Sequence, residues 1–359
     1  MLSDHVPTQL NRVTAMLGER KQTILRIICT EHIAHAEPVG SERVASHYAL
    51  GVRSATVRNE MAEMTELGYL RQPHTSAGRI PSDRGYRYYV DRLMNADPLT
   101  ERERAAIRHL RDLIDDQVDE ILRDACRIVA ELTKYTSVAT PPIESESRLD
   151  AIRLLLLDAR RLLVVLVLGS GRVAHAIVDA SDWNGSRDVE SLQSILNGIV
   201  AGKTCGELRS SPNFDIYPPQ MRKLLGRLCT AVADTLRPRS HDELVVHGEA
   251  NVLREPEFQD LNRLDGLLDL LHSRQAIYDV LSVADMNDPV AIIIGSENEY
   301  ERAREYSFVA APYLIGPRVA GTIGVLGPTR MRYSQAIPVV TSVAHQVSMV
   351  LSTLSGARA

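Results

Sequence analysis

The chain has 359 residues, which is too long for one ordinary hydrophobic core and predicts two or three domains. Hydrophobic residues make up 44% and charged residues 24%, as in an ordinary soluble globular protein. The net charge of -5 excludes a strongly basic chain, yet residues 1–95 hold 12 basic and 10 acidic side chains against 29 and 36 in the remainder. A mildly basic N-terminal region followed by an acidic remainder suits an N-terminal region that binds the phosphates of nucleic acid.

Membrane, secreted and zinc-binding proteins are disfavoured by the sequence. The most apolar stretch, 154–169, is interrupted by charges and leaves an apolar run of only 162–168, far short of the roughly 20 residues that a membrane helix needs. Residues 1–15 lack the basic and apolar regions of a signal peptide. We therefore expect a cytoplasmic protein. The cysteines form no CxxC pair and are expected to be buried thiols: Cys29, Cys126, Cys205 and Cys229.

Three helices joined by short turns are predicted first. An apolar stripe at helical spacing predicts a helix over 17–35, which residues 37–41 end. Ser41 is expected to cap a second helix to about residue 48, and Ser54 to cap a third that ends at Gly68. A helix, a glycine-containing turn and a capped helix are typical of a helix-turn-helix motif.

The third helix is the predicted recognition helix. Val57, Met61 and Met64 share one face and are expected in the core, which leaves the N-terminal half of the outer face for base edges. Asparagine can pair with adenine and arginine with guanine, while small side chains contact the thymine methyl. The alternative is a solvated helix face on which Ser54 is only a cap. The predicted DNA contacts in this region are Ser41, Arg53, Ser54, Ala55, Thr56, Arg58 and Asn59.

A hairpin wing is predicted next, with extended segments at 69–73 and 79–81 around a polar loop. Its side chains and backbone N–H groups can reach phosphate or a minor groove. The alternative is a surface turn in which the histidine braces the hairpin. The predicted contacts are His74, Thr75, Ser76 and Arg79. Tyrosines that interleave with arginines after the hairpin are expected close to the DNA backbone: Tyr86, Tyr88 and Tyr89.

The body begins after a linker at 96–99. A capping box at Thr100 and Glu103 opens a predicted long helix to about residue 132. The period then changes, with strands predicted at 152–157, 162–168 and 172–178, helices at 189–200, 220–236 and 258–271, a strand or hairpin at 241–252, strands at 290–295, 307–313 and 319–326, and a helix at 334–354. Two strand-rich stretches around a helical middle suggest one α/β domain with an inserted module.

Three features suggest chemistry that we do not favour. His241 and His247 on one strand face suggest a metal, but further ligands at a clear spacing are missing. The glycine-rich segment 321–327 resembles a dinucleotide loop, but it lies within an apolar strand and Pro328 follows it. His175 among apolar residues is expected to be packed. We predict no enzyme, no cofactor and no metal.

Several long motifs resemble the HrcA family, the heat-inducible transcription repressors of bacterial chaperone operons. The resemblance runs from about Met16 through almost the whole chain. Residues 1–15 depart from it, and His35-Ala36 stands where the family usually has Thr-Gly. The motifs are Glu37-Pro-Val-Gly-Ser41, Ser54-Ala-Thr-Val-Arg-Asn-Glu-Met61, Pro73-His-Thr-Ser-Ala-Gly-Arg-Ile-Pro81, Gly85-Tyr-Arg-Tyr-Tyr-Val90, Gly295-Ser-Glu-Asn298 and Gly321-Thr-Ile-Gly-Val-Leu-Gly-Pro-Thr-Arg-Met331.

The resemblance implies an α+β multidomain fold. Residues 1–15 would be a disordered extension and 16–95 an N-terminal winged helix-turn-helix domain. A GAF-like α/β domain would comprise 100–181 and 276–354, and 182–275 would be an inserted, mainly helical dimerisation module.

The same resemblance implies repression by a homodimer at an inverted-repeat operator in double-stranded DNA. The chaperonin would be the partner that keeps the repressor active, and its titration on heat shock would end repression. Two alternatives stay open from the sequence: a regulator whose GAF-like domain senses a small ligand, and, more distantly, an enzyme fused to a DNA-binding head.

Overall fold

The structure is a computed structural model with a mixed α and β fold. It divides into two compact units, residues 1–95 and 96–359. The residues that it describes are 17–48, 50–75, 77–113, 118–142, 148–158, 160–168, 173–181, 183, 189–204, 207–208, 214–235, 244–252, 254–282 and 288–355.

The first unit consists of helices around one small antiparallel strand pair. Its regular elements are α1 (Glu19–His35), α2 (Ser41–His47), α3 (Ser54–Glu66), β1 (Leu70–Arg71), β2 (Ile80–Pro81), α4 (Asp83–Tyr88) and a π-helical turn (Tyr89–Leu93). Each of the first three helices buries one apolar stripe, as the 3.6-residue period requires. Their shared core contains Ile24, Leu25, Ile28, Val44, Val57, Met61 and Met64.

The second unit alternates helices with longer strands. Its helices are α5 (Glu101–Arg108), α6 (Val118–Thr133), α7 (Val189–Val200), α8 (Pro219–Thr235), α9 (Glu249–Val252), α10 (Leu261–His272), α11 (Arg274–Ser282) and α12 (Tyr333–Leu354). Its strands are β3 (Thr136–Ala139), β4 (Leu149–Asp158), β5 (Arg161–Leu168), β6 (Val173–Asp179), β7 (Val245–His247), β8 (Ala291–Ile294), β9 (Tyr306–Ile315) and β10 (Arg318–Pro328). Short 3-10 turns lie at His109–Leu113, Pro256–Gln259, Gly295–Glu297 and Glu301–Ala303.

The larger sheet of this unit has five antiparallel strands in the order β7-β3-β10-β9-β8. Helix α12 packs along β9, so the long apolar C-terminal helix forms part of a protein core although it is long and apolar enough to cross a membrane. The glycine-rich segment is strand, as predicted. A Cβ on Gly324 would lie 2.6 Å from the Val309 carbonyl oxygen, so glycine there permits close packing of β10 on β9.

The smaller sheet is the antiparallel meander β4-β5-β6, whose three strands were predicted. Its inner face packs on α7 and α8, and together they form one hydrophobic core. The outer face carries exposed apolar side chains, and His175 lies there exposed. The expectation of a packed His175 is therefore wrong, because alternate residues of β6 point to opposite faces and this one points away from the helices.

The predicted module boundaries do not follow these cores. The strands between 149 and 179 share a core with α7 and α8 and not with the strands after residue 276. Conversely, residues between 244 and 281 share a core with the five-stranded sheet. The structure thus groups 149–235 as one module, whereas the sequence placed the inserted module at 182–275.

The predicted long helix from Thr100 is also interrupted. Its capping box is present, since the Glu103 N–H donates to the Thr100 hydroxyl and Glu103 accepts from the Thr100 backbone. Helix α5 passes into the 3-10 turn at His109–Leu113, and α6 is described from Val118. The apolar spacing survives because α5, the 3-10 turn and α6 all pack on α12. Periodicity alone does not register the break.

The described cysteines are buried and free, namely Cys29, Cys126 and Cys229. Burial raises the pKa of Cys126 to about 12 and that of Cys229 to about 11, so both are thiols at neutral pH. Cys205 and His241 lie outside the described residues. Elsewhere in the described parts of the chain, His, Cys, Asp and Glu side chains form no group of three that could hold a metal ion.

Candidate nucleic-acid interface

The outer face of α3 presents the side chains that the sequence singled out. Val57 and Met64 point into the core with no exposed surface, which turns the opposite side of the helix outward. On that side and at the helix start, four of the predicted residues are exposed and two are half-buried. The exposed ones are Arg53, Ala55, Arg58 and Asn59, and the half-buried ones are Ser54 and Thr56.

The two serines at the helix starts do not cap their own helices. The residues preceding the helices are Gly40 and Arg53, and neither helix start has a side-chain capping bond. Ser41 and Ser54 are instead the first helical residues, and their hydroxyl oxygens lie 3.1 Å apart. The predicted caps are therefore wrong. The hydroxyl pair ties the start of α2 to the start of α3.

Glu60 fixes α3 to α1 from the inner side. Its carboxylate accepts from Arg20 Nε at 2.8 Å and lies 2.7 Å from Lys21 Nζ, which also contacts Glu63 at 2.9 Å. The Glu60 residue is only 6% exposed, so these cations compensate a buried charge. The hydrogen bond from Lys21, assisted by Arg20, lowers the pKa of Glu60 below its ordinary value.

Glu60→Gln is expected to destabilise the first unit by about 1–3 kcal/mol at neutral pH, because a charge-assisted hydrogen bond is lost. A lowered pKa in the folded state means that the stabilisation is complete above the unfolded pKa, near 4.5, and disappears as pH falls through the folded value. The variant should therefore lose part of the acid dependence of stability below about pH 4.5.

Thermal unfolding monitored by circular dichroism from pH 3 to 7 measures both effects. Glu63→Gln is the matched control, since that carboxylate is 59% exposed and its pairing contributes little. A full acid dependence in the Glu60 variant would contradict the assignment.

A half-buried carboxylate positions α2. Glu31 in α1 accepts from the Tyr48 hydroxyl at 2.7 Å and pairs with Arg43 at 2.5 Å. The bond from Tyr48, with the positive charge of Arg43, lowers the pKa of Glu31. Sequence reasoning missed this residue. Its spacing of 12 from Arg43 and 17 from Tyr48 gives no local signal, because the partners lie on the next helix and its following turn.

The turn between α1 and α2 retains a left-handed residue. Ala36 ends α1 with φ 59° and ψ 16°, and its N–H donates to the His32 carbonyl at 2.9 Å. Glycine adopts this conformation freely, whereas a residue with a Cβ pays about 1–2 kcal/mol. Ala36 therefore holds the turn at a cost in backbone strain.

The third helix ends as predicted. Gly68 has φ 78°, its N–H donates to the Thr65 carbonyl, and the Tyr69 N–H donates to the Met64 carbonyl at 2.9 Å. This pair of backbone hydrogen bonds is the Schellman motif, a common helix C-terminus. Arg84 then stacks on the Tyr69 ring at 4.7 Å and donates to the Leu67 carbonyl. The hairpin consequently leaves α3 in a fixed direction.

The hairpin consists of β1 and β2, paired antiparallel with Arg71 opposite Ile80. Val39 pairs with the hairpin in an isolated antiparallel β-bridge, in which Val39 and Arg79 exchange two backbone hydrogen bonds of 2.9 Å. The Arg79 side chain is half-buried and donates from Nε to the Thr65 hydroxyl at 3.0 Å. This bond places its guanidinium beside α3, below the loop tip.

The loop tip is held by Gln72, which the sequence did not single out. Its Nε2 donates to the carbonyls of Thr75 at 2.9 Å and Ala77 at 3.0 Å. His74 and Thr75 are exposed, and Ser76 lies outside the described residues. The tip thus presents two of its predicted side chains to solvent.

The three tyrosines after the hairpin are core residues. Tyr86, Tyr88 and Tyr89 are each at most 8% exposed, and the Tyr86 hydroxyl bonds His32 Nδ1 at 2.5 Å. Their burial leaves little side-chain surface for DNA, and their position close to the DNA backbone stays a prediction. Their spacing fits a short helix whose apolar face closes the unit's core.

Sequence comparison gives the family of this chain. A family model described as the HrcA protein C terminal domain matches residues 119–337, which is more than half of the chain. The chain belongs to the HrcA family. Two HrcA proteins, each named heat-inducible transcription repressor, come from Pelotomaculum thermopropionicum and Desulforamulus reducens. They are 36% and 35% identical to this chain over 340 residues, and each match covers 94% of this chain and 98% of the relative.

The match to HrcA proteins is longer than the C-terminal family model. Because it covers 94% of the chain, it includes most of the first unit, where the candidate interface lies. Among solved structures, the crystal structure of a hypothetical protein at 2.2 Å resolution is similar with a TM-score of 0.65 and 20% identity, covering 94% of this chain and all of that one. At that identity the likeness concerns the fold alone.

Proposed function

We propose that this HrcA protein is a DNA-binding transcriptional repressor that reads its operator with α3. The observation that carries the proposal is the exposure of Arg58 and Asn59 on one helix whose opposite face is locked in the core. Arginine and asparagine are the side chains that pair bidentately with guanine and adenine in the major groove. The two relatives named above as heat-inducible transcription repressors support the same role.

We further propose that the first unit is a winged helix, with the β1–β2 hairpin as its wing. Arg79 and the exposed His74 and Thr75 would contact phosphate or the minor groove, and Ser76 is a further proposed contact. In the second unit, the five-stranded sheet would be the GAF-like domain. The 149–235 module would be inserted into it.

Replacing Arg58 or Asn59 with alanine is expected to weaken binding to the operator by about 1–3 kcal/mol, roughly 5- to 150-fold. Each variant removes a base-edge contact and leaves the buried face of α3 intact. Fluorescence anisotropy with an inverted-repeat duplex and a scrambled duplex at one salt concentration measures the change. Arg26→Ala is the matched control, because Arg26 is an exposed arginine of α1 in the same unit. An equal loss on both duplexes would contradict base recognition.

The homodimer proposal rests on the outer face of the smaller sheet. Leu155, Leu163 and Ile177 lie side by side across β4, β5 and β6, and Val167 and Val173 form a parallel row. Leu155, Val173 and Ile177 are 55%, 62% and 57% exposed. Arg153, Val165 and His175 form the row between these two. Exposed apolar side chains that cluster on one sheet face mark a protein contact. A second copy is the proposed occupant, since a two-fold operator requires a two-fold protein.

Ile177→Lys is expected to convert the dimer to monomer and to lower operator affinity at least about tenfold, because a charge on this face would be buried without a partner. Analytical ultracentrifugation gives the mass, and the anisotropy titration gives the affinity. Ile216→Lys is the matched control, since Ile216 is 84% exposed and lies outside the sheet. A dimeric Ile177 variant would show that this face is not the interface.

Chaperonin dependence is the remaining part of the proposal. We propose that the chaperonin keeps the repressor in its binding-competent state and that heat shock removes this support. Titration of the inverted-repeat duplex with and without chaperonin tests it, with the scrambled duplex alongside. Tight binding to the repeat alone, increased by chaperonin, is expected. Equal weak binding to both duplexes in the presence of chaperonin would overturn the operator assignment.

A further inference from the structure

A groove of about 480 Å³ lies between α5 and α12 in the second unit, and the charged side chains that line it are all arginines. Arg104, Arg108 and Arg111 recur at intervals of four and three, so they share one face of the α5 helix and its 3-10 extension. From α12, Ser342 and His345 face the same space. Among the described residues, no acidic side chain lines the groove.

The groove walls are held together independently of any ligand. The Ser334 hydroxyl donates to the Asp97 carboxylate at 2.7 Å, and the Asp97 N–H donates to the Ser334 carbonyl at 2.8 Å. Gln335 donates to the Glu103 carboxylate at 3.1 Å and to the Leu132 carbonyl at 3.2 Å. These bonds join α5 and the end of α6 to α12, so the three arginines project from a fixed support.

The positive charge of the groove is only weakly compensated. Glu101 lies 3.2 Å from Arg104 and 3.9 Å from Arg108, but its side chain is 79% exposed. Such exposed pairs contribute little, because water screens them. Arg111 donates from Nε to the Gln346 side-chain oxygen at 3.3 Å, which leaves its terminal nitrogens for another acceptor. Three guanidinium groups therefore face one exposed carboxylate.

The floor of the groove contains a buried donor without an acceptor. Gln346 is 5% exposed, and its Nε2 has no hydrogen-bond partner among the described residues. A buried amide N–H without an acceptor carries an energetic cost. An oxyanion in the groove would reduce this cost. The apolar side chains of Leu99 and Ile107 also line the space, so the groove suits more than a bare ion.

The geometry points to a binding site for a small phosphate-bearing ligand in this groove. Guanidinium forks match the oxygens of phosphate and bind it bidentately. A doubly charged oxyanion matches three weakly compensated arginines better than a single carboxylate does. The volume is within the range of small-molecule sites, and the apolar wall would contact the body of the ligand. The site lies outside α3 and the hairpin and is independent of the operator proposal.

Calorimetric titration of the full chain with inorganic phosphate, against chloride at equal ionic strength, tests the site. We expect saturable binding that weakens at least tenfold in Arg108→Gln and in Arg111→Gln. Arg102→Gln is the matched control, because Arg102 is an exposed arginine of the same helix that does not line the groove. Arg58→Ala should also bind phosphate normally. Absence of saturable binding, or equal weakening in either control, would overturn the proposal.

A second arm separates a free ligand from DNA phosphate. The salt dependence of duplex binding should be unchanged in Arg108→Gln if the groove serves a small ligand. The alternative result has two parts: Arg108→Gln lowers the slope of log binding constant against log salt concentration by about one, and calorimetry detects no phosphate binding to the wild-type chain. That result would show that the groove contacts the DNA backbone, and it would overturn the small-ligand proposal. Normal operator affinity in Arg108→Gln would also show that the phosphate site and operator binding are independent of each other.

Discussion

Gly78→Ala is expected to disrupt the base of the hairpin and to cost the first unit about 3–5 kcal/mol. A Cβ on Gly78 would lie 2.4 Å from both the carbonyl carbon and the oxygen of Val39, a separation that real atoms do not reach. The strand at Val39 must then move away, which breaks its two hydrogen bonds with Arg79. Overpacking of about 1–3 kcal/mol adds to the loss of two bonds of about 1 kcal/mol each. A small domain has only about 5–15 kcal/mol in total, so this is a large share.

Hydrogen exchange measured by mass spectrometry over the peptides that contain Val39 and Arg79 gives the local effect, and calorimetry gives the global one. Gly40→Ala is the matched control, since a Cβ there meets no atom within 4 Å and its φ of -82° suits any residue. The control should stay within about 1 kcal/mol of the wild type. Normal protection of Val39 in the Gly78 variant would show that the hairpin base tolerates a side chain.

Local periodicity accounts for the part of this site that the sequence predicted. Val57, Met61 and Met64 recur at helical spacing, which alone fixes the buried face of α3 and so the exposure of Arg58 and Asn59. The glycine ending at Gly68 is equally local, because a left-handed residue at a helix end needs no tertiary contact.

Non-local partners account for what the sequence did not predict. Glu60 lies 40 residues from Arg20, and its burial is set by the packing of α3 on α1. Ser41 and Ser54 illustrate a finer limit, since a hydroxyl at a helix start serves as a cap or as the first helical residue. Here both serines are first helical residues, and their hydroxyl oxygens lie 3.1 Å apart across two helices.

Strand pairing explains why the hydrophobic cores group residues differently from the predicted module bounds. Alternation predicted strands at 152–178 and after residue 290, but it does not state which strands share a sheet. β3 was missed between the predicted helix that ends near residue 132 and the strand predicted from residue 152, although it pairs with both β7 and β10. Its four residues are buried on both faces, so alternation was absent.

Arg330→Met is expected to destabilise the second unit by about 3 kcal/mol or more and to lower its unfolding temperature by about 6–12 °C. The Arg330 side chain, 9% exposed, bridges Glu255 at 2.5 Å and Glu257 at 2.5 and 2.9 Å. It thereby joins the turn after β10 to the segment whose Phe258 stacks on Tyr306. Without the guanidinium, two carboxylates that are only 19% and 21% exposed face each other uncompensated.

The triple variant Arg330→Met, Glu255→Gln, Glu257→Gln separates two contributions to the lost stability. One is the loss of the ion pairs, and the other is the cost of carboxylates left without a cation. Removing one member of a buried ion cluster costs more than removing all of its charges, because only the first leaves charges without a partner. The triple variant should therefore recover more than half of the loss seen in differential scanning calorimetry. If it unfolds at the temperature of the single variant, the arginine stabilises the fold through packing of its side chain and not through its charge, which would refute the electrostatic account of this bridge.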